Sequence, residues 1–209
     1  ILDMKIKDGT FYYVEKTGLD GEKLPVPLHW FKWQVFTTWI SGALLLVIVY
    51  YAGGRAALED PSVAKITHGW AILIGISAII GGRIIYDAMQ HVAPKMPALS
   101  TLVWMSALTA IAIALTQILS GRAAFLHVGA MLGTIMAGNV ATTIVSSQKE
   151  LVGSVGEGRG ANPAVAARAK RVSIHNNYFT FPVIALMVSS HFSGLYGHRL
   201  NWLILLVIV

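Results

Sequence analysis

The chain has 209 residues, of which 55% are hydrophobic and only 12% charged, where a soluble domain carries roughly a quarter charged residues; a soluble globular domain is excluded and an integral membrane protein is indicated. No cysteine is present, which removes disulfides, thiolate metal sites and CxxCH haem attachment from this sequence. The net charge of +6 is not laid out as a basic stripe with interleaved aromatics, so nucleic acid is excluded as the expected partner.

Residues 1–30 form a polar segment carrying Lys5, Lys7, Lys16 and Lys23. Apolar runs follow at 36–52, 66–88, 98–119, 123–146 and 174–192, near or above the ~18 residues expected of a spanning helix. A sixth run starts at Asn201 and is cut short at Val209. Strand alternation being absent, the predicted fold is all-α: a polytopic transmembrane helix bundle of five complete spans plus a truncated sixth, with 1–209 as a single transmembrane domain. The opening at Ile1 rather than Met, and the end inside an apolar run, are read as cuts through a longer protein.

If the spans alternate, residues 1–30, the 91–97 turn and the 147–172 loop share one side. That side holds Lys5, Lys7, Lys16, Lys23, Lys95, Lys149, Arg159, Arg168, Lys170 and Arg171; the other holds Arg55, Lys65, Arg122 and Arg199. The bias of Lys and Arg towards the inside makes the first side cytoplasmic, and a multi-pass protein of a bacterial inner membrane is expected. The 147–172 segment, with GSVGEGRGANP at its centre, is read as a flexible cytoplasmic loop; it follows no strand and fits neither glycine fingerprint for phosphates.

Small residues recur at Ala71, Gly75, Ala78 and Gly82, and again at Gly129, Gly133, Ala137 and Ala141. Such stripes let helix backbones approach closely in lipid; the alternative is that one of them makes room for a flat cofactor. Arg83 and Asp87 are spaced i, i+4 and suit an ion pair within the membrane.

Imidazoles and amides at membrane depth are costly unless paired, so they mark candidate sites. His68, His127 and His191 fall near the external face, His29, His91 and His175 near the cytoplasmic face, and His198 in an external loop. Histidines from separate helices are usual axial ligands of haem, and imidazole clusters also hold copper or a similar metal. His68, His127, His191 and His29 are therefore candidate cofactor ligands, the first three also as a metal site. For a single interfacial histidine, His91 and His198 above all, a solvated or hydrogen-bonded helix-end residue is the plainer reading; three on separate helices at one depth are less readily a coincidence. His175, Asn176, Asn177 and Tyr178 open the fifth apolar run, and from His175 to His191 a helix rises about 24 Å, so these two imidazoles lie near opposite faces.

The runs LHWFKWQVFTTWISGALLLVIVYY (28–51), FLHVGAMLGTIMAGNV (125–140), the Gln148-Lys149 pair and SIHNNYFTFPVIALMVSSHF (173–192) resemble the membrane domain of the membrane-bound, cytochrome c-linked urate oxidases of bacteria. The resemblance covers nearly the whole chain in collinear order. It implies eight spans followed by an external cytochrome c domain, and conversion of urate to 5-hydroxyisourate with electrons leaving through cytochrome c rather than forming hydrogen peroxide. Positions that match the polar motifs are His29, His68, Asp87, His127, Asn139, Gln148, His175, Asn176, Asn177, Tyr178 and His191, while Arg83 stands where an apolar residue is expected and Ser190 where an Asn is.

From these readings the expected catalytic set is His175, Asn176, Asn177 and Tyr178. Amides match the ring edges of a planar substrate, and histidine or tyrosine moves its protons. The expected cofactor is haem b within the bundle, with c-type haem only in a domain outside this chain. The expected partners are urate or a similar planar molecule, a cytochrome c domain or protein, and the lipid bilayer. The alternative is a haem b-containing electron-transfer subunit of a respiratory complex. A transporter fits less well, since no repeated pair of broken helices is present.

Overall fold

The computed structural model describes residues 2–7, 11–16, 32–160 and 162–209. The chain divides into two compact units, one of Ile1–Thr37 and Gly138–His175, the other of Thr38–Ala137 and Asn176–Val209. The elements are strands β1 (Leu2–Lys7) and β2 (Phe11–Lys16), then helices α1 (Lys32–Leu46), α2 (Arg55–Leu58), α3 (His68–Val92), α4 (Pro97–Ile118), α5 (Gly121–Asn139), α6 (Val145–Gly156), α7 (Pro163–Ser189), α8 (Ser193–Tyr196) and α9 (Asn201–Ile208). Two π-helical segments, Val47–Ala52 and Val140–Ile144, continue α1 and join α5 to α6.

Among the described residues, four stretches are long and apolar enough to cross a membrane: Lys32–Ala52, His68–Val92, Pro97–Ile118 and Gly121–Ser154. Large aliphatic side chains stand exposed along them, among them Ile48, Ile84 and Leu102, as a lipid-facing surface requires. The protein is thus helical and membrane-associated, but the expected count of five spans plus a truncated sixth is not supported. The run at 174–192 is the second half of α7, a helix that also carries Arg168, Lys170, Arg171, His175, Asn176 and Asn177; these residues pull its mean hydropathy below that of a span. The truncated sixth is the eight-residue α9.

In the first unit, β1 and β2 pair antiparallel in the register Leu2↔Lys16 to Lys7↔Phe11. The alternation of Leu2, Met4 and Ile6 with Asp3, Lys5 and Lys7 has the strand period of 2, and this hairpin was not part of the all-helical expectation. The expected 147–172 loop is mostly helix, and only residues 157–162 connect α6 to α7. α7 starts where Asn162 Oδ1 accepts the Ala164 N–H at 3.0 Å, with Pro163 in the first turn, a cap and a proline each suited to a helix start.

In the second unit α5 is the central helix. Ala124, Phe125, Val128, Met131, Leu132 and Ile135 are fully buried, at the three- and four-residue spacing that makes one continuous apolar face. Trp39 Nε1 donates to Thr134 Oγ1 at 3.0 Å, tying α1 to α5, and Ser100 Oγ donates to the Met89 carbonyl at 2.9 Å, tying α4 to α3. The stripe on α3 serves close packing: Ala71, Gly75 and Gly82 are buried. A Cβ on Gly75 would lie 2.6 Å from His127 Nε2, and one on Gly82 would run into the Met131 thioether.

These two glycines differ in what they would displace. Met131 offers the flexible end of a side chain, whereas the His127 ring is pinned by hydrogen bonds at both nitrogens. Gly75→Ala is therefore expected to destabilise by about 2–3 kcal/mol and Gly82→Ala by about 1 kcal/mol, within the usual range for overpacking. Thermal unfolding of the two variants in one detergent checks the order.

Candidate functional site

Two polar clusters are built into the second unit. The first surrounds His127. Its Nδ1 lies 2.7 Å from the Ala123 carbonyl, which only accepts, so Nδ1 carries the proton. Nε2 is then the acceptor, and the Tyr51 hydroxyl donates to it at 3.0 Å. His127 is fully buried. Tyr50 meets its ring edge-on at 6.3 Å, and Tyr51 lies tilted at 5.8 Å. Both tyrosines come from the π-helical segment Val47–Ala52, whose wider turn sets neighbouring side chains at a smaller angle than an α turn does.

His68, at the first turn of α3, faces two acceptors. Nδ1 lies 2.5 Å from Glu59 Oε1 and Nε2 lies 2.9 Å from the Tyr51 carbonyl. The ring thus bridges the Glu59 carboxyl group and the backbone of Tyr51. His68 and His127 are thus brought together through the two ends of one tyrosine.

The third expected member, His191, is exposed just beyond α7, where it lines a shallow open depression with Phe192, Ser193, Gly194 and Leu195. Among the described residues no group of three or more His, Asp or Glu side chains is close enough together to hold a metal ion. Both ring nitrogens of His68 and of His127 are engaged with protein atoms, and the space in front of Gly75 is taken by His127 itself. This arrangement fits a hydrogen-bonded network and does not fit axial ligation of a haem. His29 lies outside the described residues.

The second cluster joins α3, α5 and α7. Arg83 Nε donates to Asp87 Oδ2 at 2.8 Å, the i, i+4 pair expected from the sequence, and Arg83 Nη1 donates to the Ile135 carbonyl at 2.8 Å. Asn176 Nδ2 donates to the next carbonyl of α5, that of Met136, at 3.1 Å. A guanidinium and an amide therefore meet on consecutive carbonyls. One turn along each helix an aromatic group begins. Tyr86 of α3 lies 5.4 Å from Trp104 of α4 and 5.9 Å from Phe179 of α7, with Trp104 and Phe179 6.4 Å apart. The Trp104 indole N–H is buried with no hydrogen-bond partner, and a buried donor left in that state calls for an explanation.

The expected catalytic set does not converge on one point. Four consecutive helical residues cover most of a full circle. Asn176 and His175 are half-buried, whereas Asn177 is exposed and Tyr178 is 73% exposed. Asn139 is buried at the end of α5, immediately before the second π-helical segment. Of the residues that sequence reasoning did not assign a role, Glu59, Tyr86 and Trp104 carry no motif, and Tyr51 is only the last residue of the 28–51 run. Arg83 was visible as a charge inside an apolar run.

No curated protein and no solved structure matches the chain. The family model described as urate oxidase N-terminal matches residues 3–209. The chain therefore belongs to the urate oxidase N-terminal family.

Proposed function

We propose that the protein oxidises urate to 5-hydroxyisourate from within a bacterial inner membrane, passing the electrons to a cytochrome c. The family match over residues 3–209 carries this reading; the Asn176 amide suits a purine ring edge, and Arg83, where the resemblance expects an apolar residue, adds a positive charge particular to this chain. In the balanced reaction, urate and water give 5-hydroxyisourate, two protons and two electrons. A C–O bond forms from water at C5, and two one-electron acceptors are reduced.

Asn176 supplies an amide for the substrate's ring edge, and Arg83 supplies positive charge. His175 is kept from the sequence reading as the imidazole that moves the substrate's protons. Haem b remains the expected electron carrier, but the His68 and His127 pair does not fit it, so no step is drawn through that group. Basic residues cytoplasmic, with the end of α3 near Asp87 facing that side, agree with a substrate made inside the cell.

The reading is tested by turnover of urate in water labelled with heavy oxygen, with ferric cytochrome c as acceptor. One labelled oxygen per 5-hydroxyisourate is expected. Label drawn from dioxygen instead, or no turnover, refutes it.

A further inference from the structure

We propose that Arg83 is the charge-selecting residue of the substrate site, and that Asp87 is a resident carboxylate with which an anionic purine competes; this rests on the reading of the protein as a urate oxidase. Three observations support it. The Arg83 side chain is only 16% exposed while that of Asp87 is 45% exposed, so the carboxylate is the more accessible partner and the cation the more firmly held. The guanidinium is a planar fork suited to the paired oxygen and nitrogen acceptors along a purine edge, and the Asn176 amide works on the neighbouring carbonyl of α5. Tyr86 and Phe179, one helical turn from Arg83 and Asn176 respectively, pack on the Trp104 indole, whose buried N–H has no hydrogen-bond partner among the described residues.

A purely structural Arg83–Asp87 pair would serve to neutralise charge within the helix and would not distinguish ligands by charge. The two roles separate in equilibrium binding of urate, an anion at neutral pH, and of hypoxanthine, a neutral purine, to the purified protein in lipid vesicles. Arg83→Gln is expected to weaken urate about 10-fold or more, from loss of a charged hydrogen bond, and to leave hypoxanthine within about twofold. Arg83→Lys keeps the charge but loses the fork, and its urate affinity is expected to fall between those of Arg83→Gln and wild type; this variant keeps the test decisive if Arg83→Gln does not fold. Asp87→Asn removes the competitor and is expected to tighten urate several-fold.

Unchanged urate binding in Arg83→Gln or Arg83→Lys, or an equal loss for both purines, overturns the inference while leaving the functional reading standing. Wild-type protein that binds no urate overturns both.

Discussion

Asn176→Ala is expected to lower kcat/KM for urate about 100-fold, the consequence of losing the hydrogen bonds of one well-placed amide at about 1.4 kcal/mol per tenfold. The fold should tolerate the change. The amide donates to the Met136 carbonyl, an acceptor with a second lone pair that helical bonding already uses, so the stability loss is expected at about 1 kcal/mol. Tyr178→Phe supplies the contrast. Its side chain is 73% exposed, and turnover is expected to stay within about twofold, as for a surface change away from any packed feature. Steady-state kinetics with a cytochrome c acceptor, alongside thermal unfolding, separates the two positions. Equal losses at both would mean that the HNNY segment acts as a unit, against the helical geometry.

His127→Ala is expected to be the most damaging single change to stability. The ring is fully buried, so its removal opens a cavity costing about 2–5 kcal/mol. It also leaves the Tyr51 hydroxyl, now 3.0 Å from Nε2, without its acceptor. Tyr51→Phe deletes the same hydrogen bond without the cavity and is expected to cost about 1–2 kcal/mol by leaving Nε2 unpaired. Because the two residues share one bond, the double variant should fall short of the sum of the singles. Unfolding temperatures of the three variants in lipid vesicles check the cycle.

The parts of this fold that were legible in the sequence are those governed by local pattern. Apolar length located the four spans. The three- and four-residue spacing of Ala71, Gly75, Ala78 and Gly82 marked a close-packing face, and the i, i+4 spacing of Arg83 and Asp87 suited an ion pair that is present at 2.8 Å. The cap at Asn162 and Pro163, followed by the alanine-rich run to Val172, was also legible in principle. The glycines of the 147–172 segment masked it, although a helix entering from a long span needs no new nucleus to continue to Gly156.

Long-range placement was not legible. The sequence places Tyr51 at the end of the 28–51 run but gives it no role, because that role depends on a π-helical turn and on a histidine 76 residues away. Grouping His68, His127 and His191 by depth alone ignored direction around the helix: two of them are joined through Tyr51, while the third faces an open depression on the surface. The same omission made His175, Asn176, Asn177 and Tyr178 look like one site. Arg83 and Asn176 were each visible as polar residues, but their meeting on the Ile135 and Met136 carbonyls depends on helix packing that no spacing rule encodes.

The most direct test of urate oxidation linked to a cytochrome is the electron count under strict anaerobiosis. Purified protein in lipid vesicles, given urate and excess ferric cytochrome c, is expected to reduce two cytochromes for each urate consumed and to form no hydrogen peroxide. Cytochrome reduction that does not depend on urate, or urate loss that requires dioxygen and yields hydrogen peroxide, would contradict it.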